Sequence, residues 1–284
     1  MEYLTHTLPN GLRMAHLPVD SPVSYCGYAV NAGTRDEEAG ERGLAHFVEH
    51  TLFKGTTHRK AWHILNRMEA VGGELNAYTT KEETFLYSIF MEKDFERAFE
   101  LLTDLAFHAT FPQAEIEKEV EVILDEIESY NDSPSELIFD EFEHLLFARH
   151  PLGRMILGDK RALQTFTSES GRSFTRRFYA PRNMLFFSMG RNNFEQIVQM
   201  GEKLLADTDF PMAERKRKRP KQLEAKEVHK HKDTHQAHVL IGGQAYDLFD
   251  PERVPLYLLN NLLGGPGMNS LLNVLLRERN GLVY

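Results

Sequence analysis

Residues Gly43 to Gly55, Gly-Leu-Ala-His-Phe-Val-Glu-His-Thr-Leu-Phe-Lys-Gly, set two imidazoles and a carboxylate in a His-x-x-Glu-His arrangement. Wound as a helix at about 100° per residue, the stretch gathers Leu44, Phe47, Val48 and Thr51 on one side and His46, Glu49 and His50 on the opposite side. One face is made to pack and the other to do chemistry. Histidines four apart on a helix can hold one Zn²⁺ through two ring nitrogens, and the Glu between them then sits beside the metal without ligating it. Gly55 supplies the helix stop.

A zinc ion that works on water takes three protein ligands and keeps a fourth position open, so His46 and His50 need a partner from elsewhere. The stretch from Pro112 to Tyr130 has helical periodicity and is crowded with carboxylates. Its apolar stripe is Ile116, Val120, Ile123 and Ile127, and Glu117, Glu121, Asp125 and Glu128 point well away from it. Glu119 and Glu126, seven apart, lie together on the other flank of the stripe, with Glu115 a little further round. These two are able to reach a buried metal, and spacing does not choose between them.

The 284 residues are 42% hydrophobic and 26% charged, enough to bury one large core or two ordinary ones. A net charge of −9 argues against a general nucleic-acid binder, which would present a basic surface. The single cysteine, Cys26, excludes an internal disulfide framework and fits a reducing compartment; its strand-like apolar surroundings make it a core residue. No apolar run of about 18 residues is present, and the start lacks a signal-peptide pattern. The expectation is a soluble, cytoplasmic chain with no membrane or nucleic-acid partner.

Along the chain, Leu12 to Leu17, Val23 to Asn31, Thr84 to Met91 and Asn183 to Gly190 read as strands. His58 to Val71, Asp94 to Ala109, Glu136 to Ala148, Gly171 to Tyr179 and Asn193 to Ala206 read as helices, beside those already named. Strands and helices without strict βαβ alternation predict an α+β fold. The basic, proline-bounded stretch 211–222 reads as a solvated linker between a domain at 1–210 and a further segment at 223–284. In that segment a strand, Val239 to Gly243, and a helix holding Tyr257-Leu258-Leu259-Asn260-Asn261 weakly repeat the entry into the His46–His50 helix, without its metal ligands. A complete second copy would need roughly 200 residues, so the chain reads as ending early within it. His229, His231, His235 and His238, interleaved with Lys230 and Lys232, read as the solvated entrance to that strand and not as a metal site. His150, before Pro151, reads as structural.

Several blocks in order give the chain a resemblance to the M16 peptidases, the group of pitrilysin, insulin-degrading enzyme and the mitochondrial processing peptidases. They are Ala32-Gly33-Thr34-Arg35-Asp36-Glu37, Gly43 through Thr56, Gly72-Gly73-Glu74-Leu75-Asn76-Ala77-Tyr78-Thr79, Glu119 to Glu126, His150-Pro151-Leu152-Gly153-Arg154 and Tyr179-Ala180-Pro181-Arg182-Asn183-Met184. The His-x-x-Glu-His order is also the inverzincin signature. The resemblance implies a zinc metalloendopeptidase with one Zn²⁺ per chain, Glu126 as third ligand beside His46 and His50, Glu119 as a supporting carboxylate of the catalytic centre, and Glu49 as general base. It also implies a two-layer domain of antiparallel sheet and helices, followed by the start of a second of the same design.

Two more segments take a role from the resemblance. Asn76, Ala77 and Tyr78 match the edge segment that receives an extended peptide by strand addition. Arg277 and Tyr284 match an arginine and tyrosine pair that contacts substrate from the second half, and Gly264-Gly265-Pro266-Gly267 matches a glycine-rich segment that serves equally well as a turn between helices. Members of such a family enclose peptides in a chamber of four domains, which for a chain of this size implies a homodimer in its full-length form. The rival expectations are a zinc-bearing subunit that needs a heterodimer partner, and a noncatalytic scaffold.

Overall fold

The computed structural model describes residues 2–206, 208, 217–221, 225–233 and 235–283. They fall into two compact units, Met1–Val239 and Leu240–Tyr284. The first is built on six strands: β1 (Leu4–Thr7), β2 (Arg13–Pro18), β3 (Val23–Val30), β4 (Glu74–Thr79), β5 (Thr84–Met91) and β6 (Met184–Gly190). Their order in the sheet is β1-β2-β6-β3-β5-β4. With the helices below, this is an α+β fold.

Alternation of side chains decides which face is covered. On β3, β5 and β6 every second residue is buried: Cys26, Tyr28 and Val30; Leu86, Ser88 and Phe90; Met184, Phe186 and Ser188. Register lines these up across the sheet, Tyr28 opposite both Leu86 and Phe186, so that a period of two along each strand becomes one continuous apolar layer. Helix α3 (Phe95–His108) lies on it, with Phe99 stacked on Phe186 at 4.0 Å between ring centroids. Cys26 is buried in this core as the sequence predicts. The remaining helices of the unit are α1 (Leu44–Leu52), α2 (Ala61–Glu69), α4 (Gln113–Asn131), α5 (Pro134–Leu146), α6 (Lys160–Leu163), α7 (Ser168–Phe178) and α8 (Phe194–Leu204).

Four features depart from the expectations. β2 and β6 run parallel, so the sheet is not wholly antiparallel; the long excursion between them, which holds β3, β4, β5 and helices α1 to α7, permits that pairing. β1 is a four-residue strand of exposed residues, held by its ladder to β2 and therefore without an apolar signal. Val239 to Gly243 forms no strand: among the described residues no neighbour offers it a ladder, and without one an extended run is not a sheet. The part of the basic stretch that is described is not wholly solvated either, because Arg217 forks onto Asp36, with Nη2–Oδ2 at 2.6 Å and Nε–Oδ1 at 3.0 Å. Residues 211–216 and 222 of that stretch lie outside the described residues.

The second unit holds α9 (Arg253–Gly264), which contains the predicted Tyr257 to Asn261 helix, and a π-helical stretch, Asn273–Arg279. Gly265-Pro266-Gly267 turns the chain between them. His229, His231, His235 and His238 are exposed and gather into no group of metal donors among the described residues. No described helix is long and apolar enough to cross a membrane.

Candidate metal centre

Helix α1 begins at a close backbone crossing. Gly43 and Gly158 both take positive φ, +90° and +78°, and a Cβ on Gly158 would stand 2.4 Å from the Gly43 Cα. Only glycine meets both demands. The helix then packs against α4, α7 and β4, burying Leu44, Phe47, Val48 and Thr51 as the periodicity predicts, and Leu52 as well. His46 goes further inside than a solvent-facing stripe would, at 6% exposure.

Three donor atoms converge there. His46 Nε2 and His50 Nε2 stand 3.2 Å apart, and Glu126 Oε2 lies 3.7 Å from the first and 3.5 Å from the second. Donors about 2.1 Å from a tetrahedral zinc lie about 3.4 Å from one another. The three spacings therefore fit one such ion without rearrangement. Burial, with His50 adding to it, pushes the His46 pKa down to about 3, so its ring is neutral, the form that binds a metal. Glu126 comes from α4 two turns beyond Glu119 and keeps 43% of its side chain exposed. The open side of the site is on its flank.

Glu119 takes a different place. Its Oε1 lies 3.0 Å from His50 Nδ1 and its Oε2 2.6 Å from Lys54 Nζ, with the carboxylate buried. Accepting the Nδ1 proton leaves the His50 Nε2 lone pair aimed at His46 and Glu126. Glu119 is thus placed to orient the His50 ring. Glu119→Ala is expected to weaken zinc binding about 10- to 100-fold, measured by competition with a chromogenic chelator; unchanged affinity would remove this role.

Glu49 sits on α1 between the histidines. Burial raises its pKa above the ordinary carboxylate value, partly offset by neighbouring Thr79 and by His50, while Glu126 pushes it up again. Tyr179 is buried within electrostatic reach of Glu49, and burial and that charge push its hydroxyl pKa up, keeping it neutral. The predicted segment Asn76, Ala77 and Tyr78 lies in the body of β4, which pairs with β5 on one side and forms the edge of the described sheet beside α1. Arg277 lies in the π-helical stretch of the second unit, half-exposed. Tyr284 lies outside the described residues.

The sequence reading missed Lys54, Thr79, Tyr179 and Glu37. Lys54 had a signal, since it follows His46 and His50 at the same spacing of four. Glu37 had none, because its role depends on a turn. Its Oε1 accepts from the backbone N–H groups of Gly43, at 3.1 Å, and Ala45, at 3.0 Å, closing the N-terminus of α1. Its Oε2 is buried without a hydrogen bond among the described residues. Burial outweighs the two N–H groups and Arg154 and pushes its pKa up from 4.5 to about 8. The folded chain thus holds a proton that the unfolded chain releases. That contribution to stability is whole below pH 4.5, shrinks as pH rises and is gone above about 8. Wild type is expected to lose Tm relative to Glu37→Gln as pH rises from 4.5 to 8 in thermal melts; a constant difference would mean that the carboxyl titrates as an ordinary one.

The model of the insulinase family, peptidase family M16, matches residues 16–160, and that of the peptidase M16 inactive domain matches 165–284. The chain is 35% identical over 98% of its length to an uncharacterized zinc protease of Mycobacterium leprae, of which it spans 63%. It is 30% identical over 98% of its length to the uncharacterized zinc protease YmxG of Bacillus subtilis, of which it spans 68%. In fold it resembles the crystal structure of a peptidase M16 inactive domain from Pseudomonas fluorescens, with a TM-score of 0.87, 19% identity, and coverage of 100% of this chain and 69% of that one. With two family models that between them run from residue 16 to 284, and zinc proteases as relatives, the chain belongs to peptidase family M16.

Proposed function

We propose that this chain carries the zinc centre of an endopeptidase that hydrolyses peptides or unfolded polypeptides. The observation that carries the reading is the convergence of His46 Nε2, His50 Nε2 and Glu126 Oε2 at 3.2 to 3.7 Å, with Glu49 on the turn between the histidines. These three residues would hold Zn²⁺, which when bound supplies a Lewis acid for the scissile carbonyl and lowers the pKa of a water molecule. Glu49 takes the proton from the attacking water and returns it to the leaving amine. A carboxyl whose pKa is raised by burial is better matched to both transfers than an exposed one. Glu119 and Lys54 keep His50 oriented throughout. An extended peptide adds to the edge of β4 that no described strand pairs with, its backbone pairing beside Asn76, Ala77 and Tyr78, which lays it along the strand next to α1.

The chain spans less than two thirds of the M. leprae relative. In the proposal the whole protein works as a homodimer, with Arg277 and Tyr284 contributing to substrate binding. The test pairs elemental analysis of wild type and Glu126→Gln with cleavage of a quenched fluorescent peptide. About one catalytic zinc, lost with Glu126 and accompanied by cleavage, is the expected result. Zinc with cleavage only after a different subunit is added would replace the homodimer by a heterodimer. A wild type that takes up no zinc even after reconstitution would leave a scaffold in place of the enzyme.

A further inference from the structure

A second group of donors lies apart from His46, His50 and Glu126. Asp104 and His108 are four apart on the last turns of α3, so both face the same way. His58 comes from the connection between α1 and α2, and backbone bonds fasten that connection to the end of α3. Thr57 N–H donates to the His108 carbonyl at 3.0 Å, and Thr110 N–H to the Gly55 carbonyl at 3.0 Å. His58 is thereby held over Asp104.

The hydrogen bonding of Asp104 is lopsided. Its Oδ2 accepts from the Thr56 hydroxyl at 2.8 Å and from Arg59 Nη1 at 2.6 Å. Its Oδ1 faces two imidazoles, with His58 Nδ1 at 2.6 Å and His108 Nδ1 at 3.2 Å. His58 also has the Thr57 hydroxyl at 3.4 Å. His108 Nδ1 is buried and makes no hydrogen bond among the described residues, since its approach to Oδ1 is off the line that one needs. The two rings stand 4.9 Å apart and nearly perpendicular, and the three donors lie within 4.8 Å of one another. One carboxylate oxygen faced by two ring nitrogens, one of them buried and without a hydrogen bond among the described residues, is a donor set that a cation could bridge. The carbonyls at the end of α3 favour positive charge there as well.

We propose that His58, Asp104 and His108 form a second metal site, which binds a divalent first-row transition ion such as Zn²⁺ through His58 Nδ1, Asp104 Oδ1 and His108 Nδ1. Two imidazoles with one carboxylate select such an ion over Ca²⁺ or Mg²⁺, which take oxygen ligands. Arg59 and Thr56 orient the carboxylate, and Arg59 is itself held by Glu100 at 2.7 Å. Binding needs His58 to draw back from Asp104 by somewhat under ~1 Å to reach the spacing of zinc donors. Its side chain, 59% exposed, has the room. The ion would clamp the chain between the two helices to α3.

Titration of the metal-free protein with Co²⁺, followed by visible absorption and calorimetry, tests this without relying on activity. Wild type is expected to take up two equivalents, and His46→Ala/His50→Ala one. His58→Ala and His108→Gln should each lose the second equivalent while keeping the first. His58 is exposed, so its removal leaves the core intact and the fold is checked by circular dichroism. A wild type that takes up only one equivalent, or a second equivalent retained in either variant, would overturn the site.

Discussion

Glu49→Gln is expected to lower peptide hydrolysis by about 10²- to 10⁴-fold while the catalytic zinc stays bound. The amide has the shape of the carboxylate but cannot take a proton from water, and none of the three metal donors is altered. The ligand set His46, His50 and Glu126 therefore remains at its 3.2 to 3.7 Å spacing. Burial already disfavours the Glu49 charge in the folded chain, so the neutral amide should not lower Tm. The separation of the two readouts makes the experiment informative. Cleavage of a quenched peptide by zinc-loaded wild type and variant, with metal counted in the same samples, gives both. Hydrolysis within tenfold of wild type would remove Glu49 as the base, and loss of zinc would turn it into a residue that builds the site.

Phe99→Ala should destabilise the first unit by about 3–5 kcal/mol. The ring is fully buried where α3 seats on the sheet, stacked on Phe186 at 4.0 Å and edge-on to Phe95 at 6.2 Å. Four residues on, Thr103 exchanges a hydrogen bond with the Tyr28 hydroxyl at 2.8 Å, so both α3 and β3 are held at this layer and cannot readily close the cavity. The loss is therefore the transfer term plus most of the cavity term. Urea unfolding should show a lower midpoint with an unchanged slope. Trp62→Ala, at a side chain 65% exposed, is the control and should stay within about 0.5 kcal/mol. A change below about 1 kcal/mol at Phe99 would mean that the layer repacks.

Much of the candidate site is legible in the sequence. Repeats of four residues need only the helix period, so His46, Glu49 and His50 could be placed on one face, and Glu119 and Glu126 on one flank of their own helix. The helix read at Pro112 to Tyr130 is α4, Gln113–Asn131. The edge segment was harder. Asn76, Ala77 and Tyr78 carry a weak apolar signal because an edge strand is half-exposed, and only the resemblance drew attention to them. Val239 to Gly243 failed in the opposite sense, with strand composition but no partner among the described residues.

Chain composition and local period by themselves determined that this is an α+β chain with a His-x-x-Glu-His helix and a carboxylate-rich helix to complete it. Spacing left the two carboxylates open and the resemblance implied a role for each, but only the tertiary structure gives them their separate neighbours. Glu119 meets His50 Nδ1 and Lys54, whereas Glu126 meets both Nε2 atoms, because the crossing of α1 over α4 sets which turn faces which ring. The same holds for His58, which no repeat in the sequence connects to Asp104 and His108 and which meets them because Thr57 and Thr110 bind the chain to the end of α3. Periodicity is a property of one element, while distance between elements is decided by how their buried faces pack.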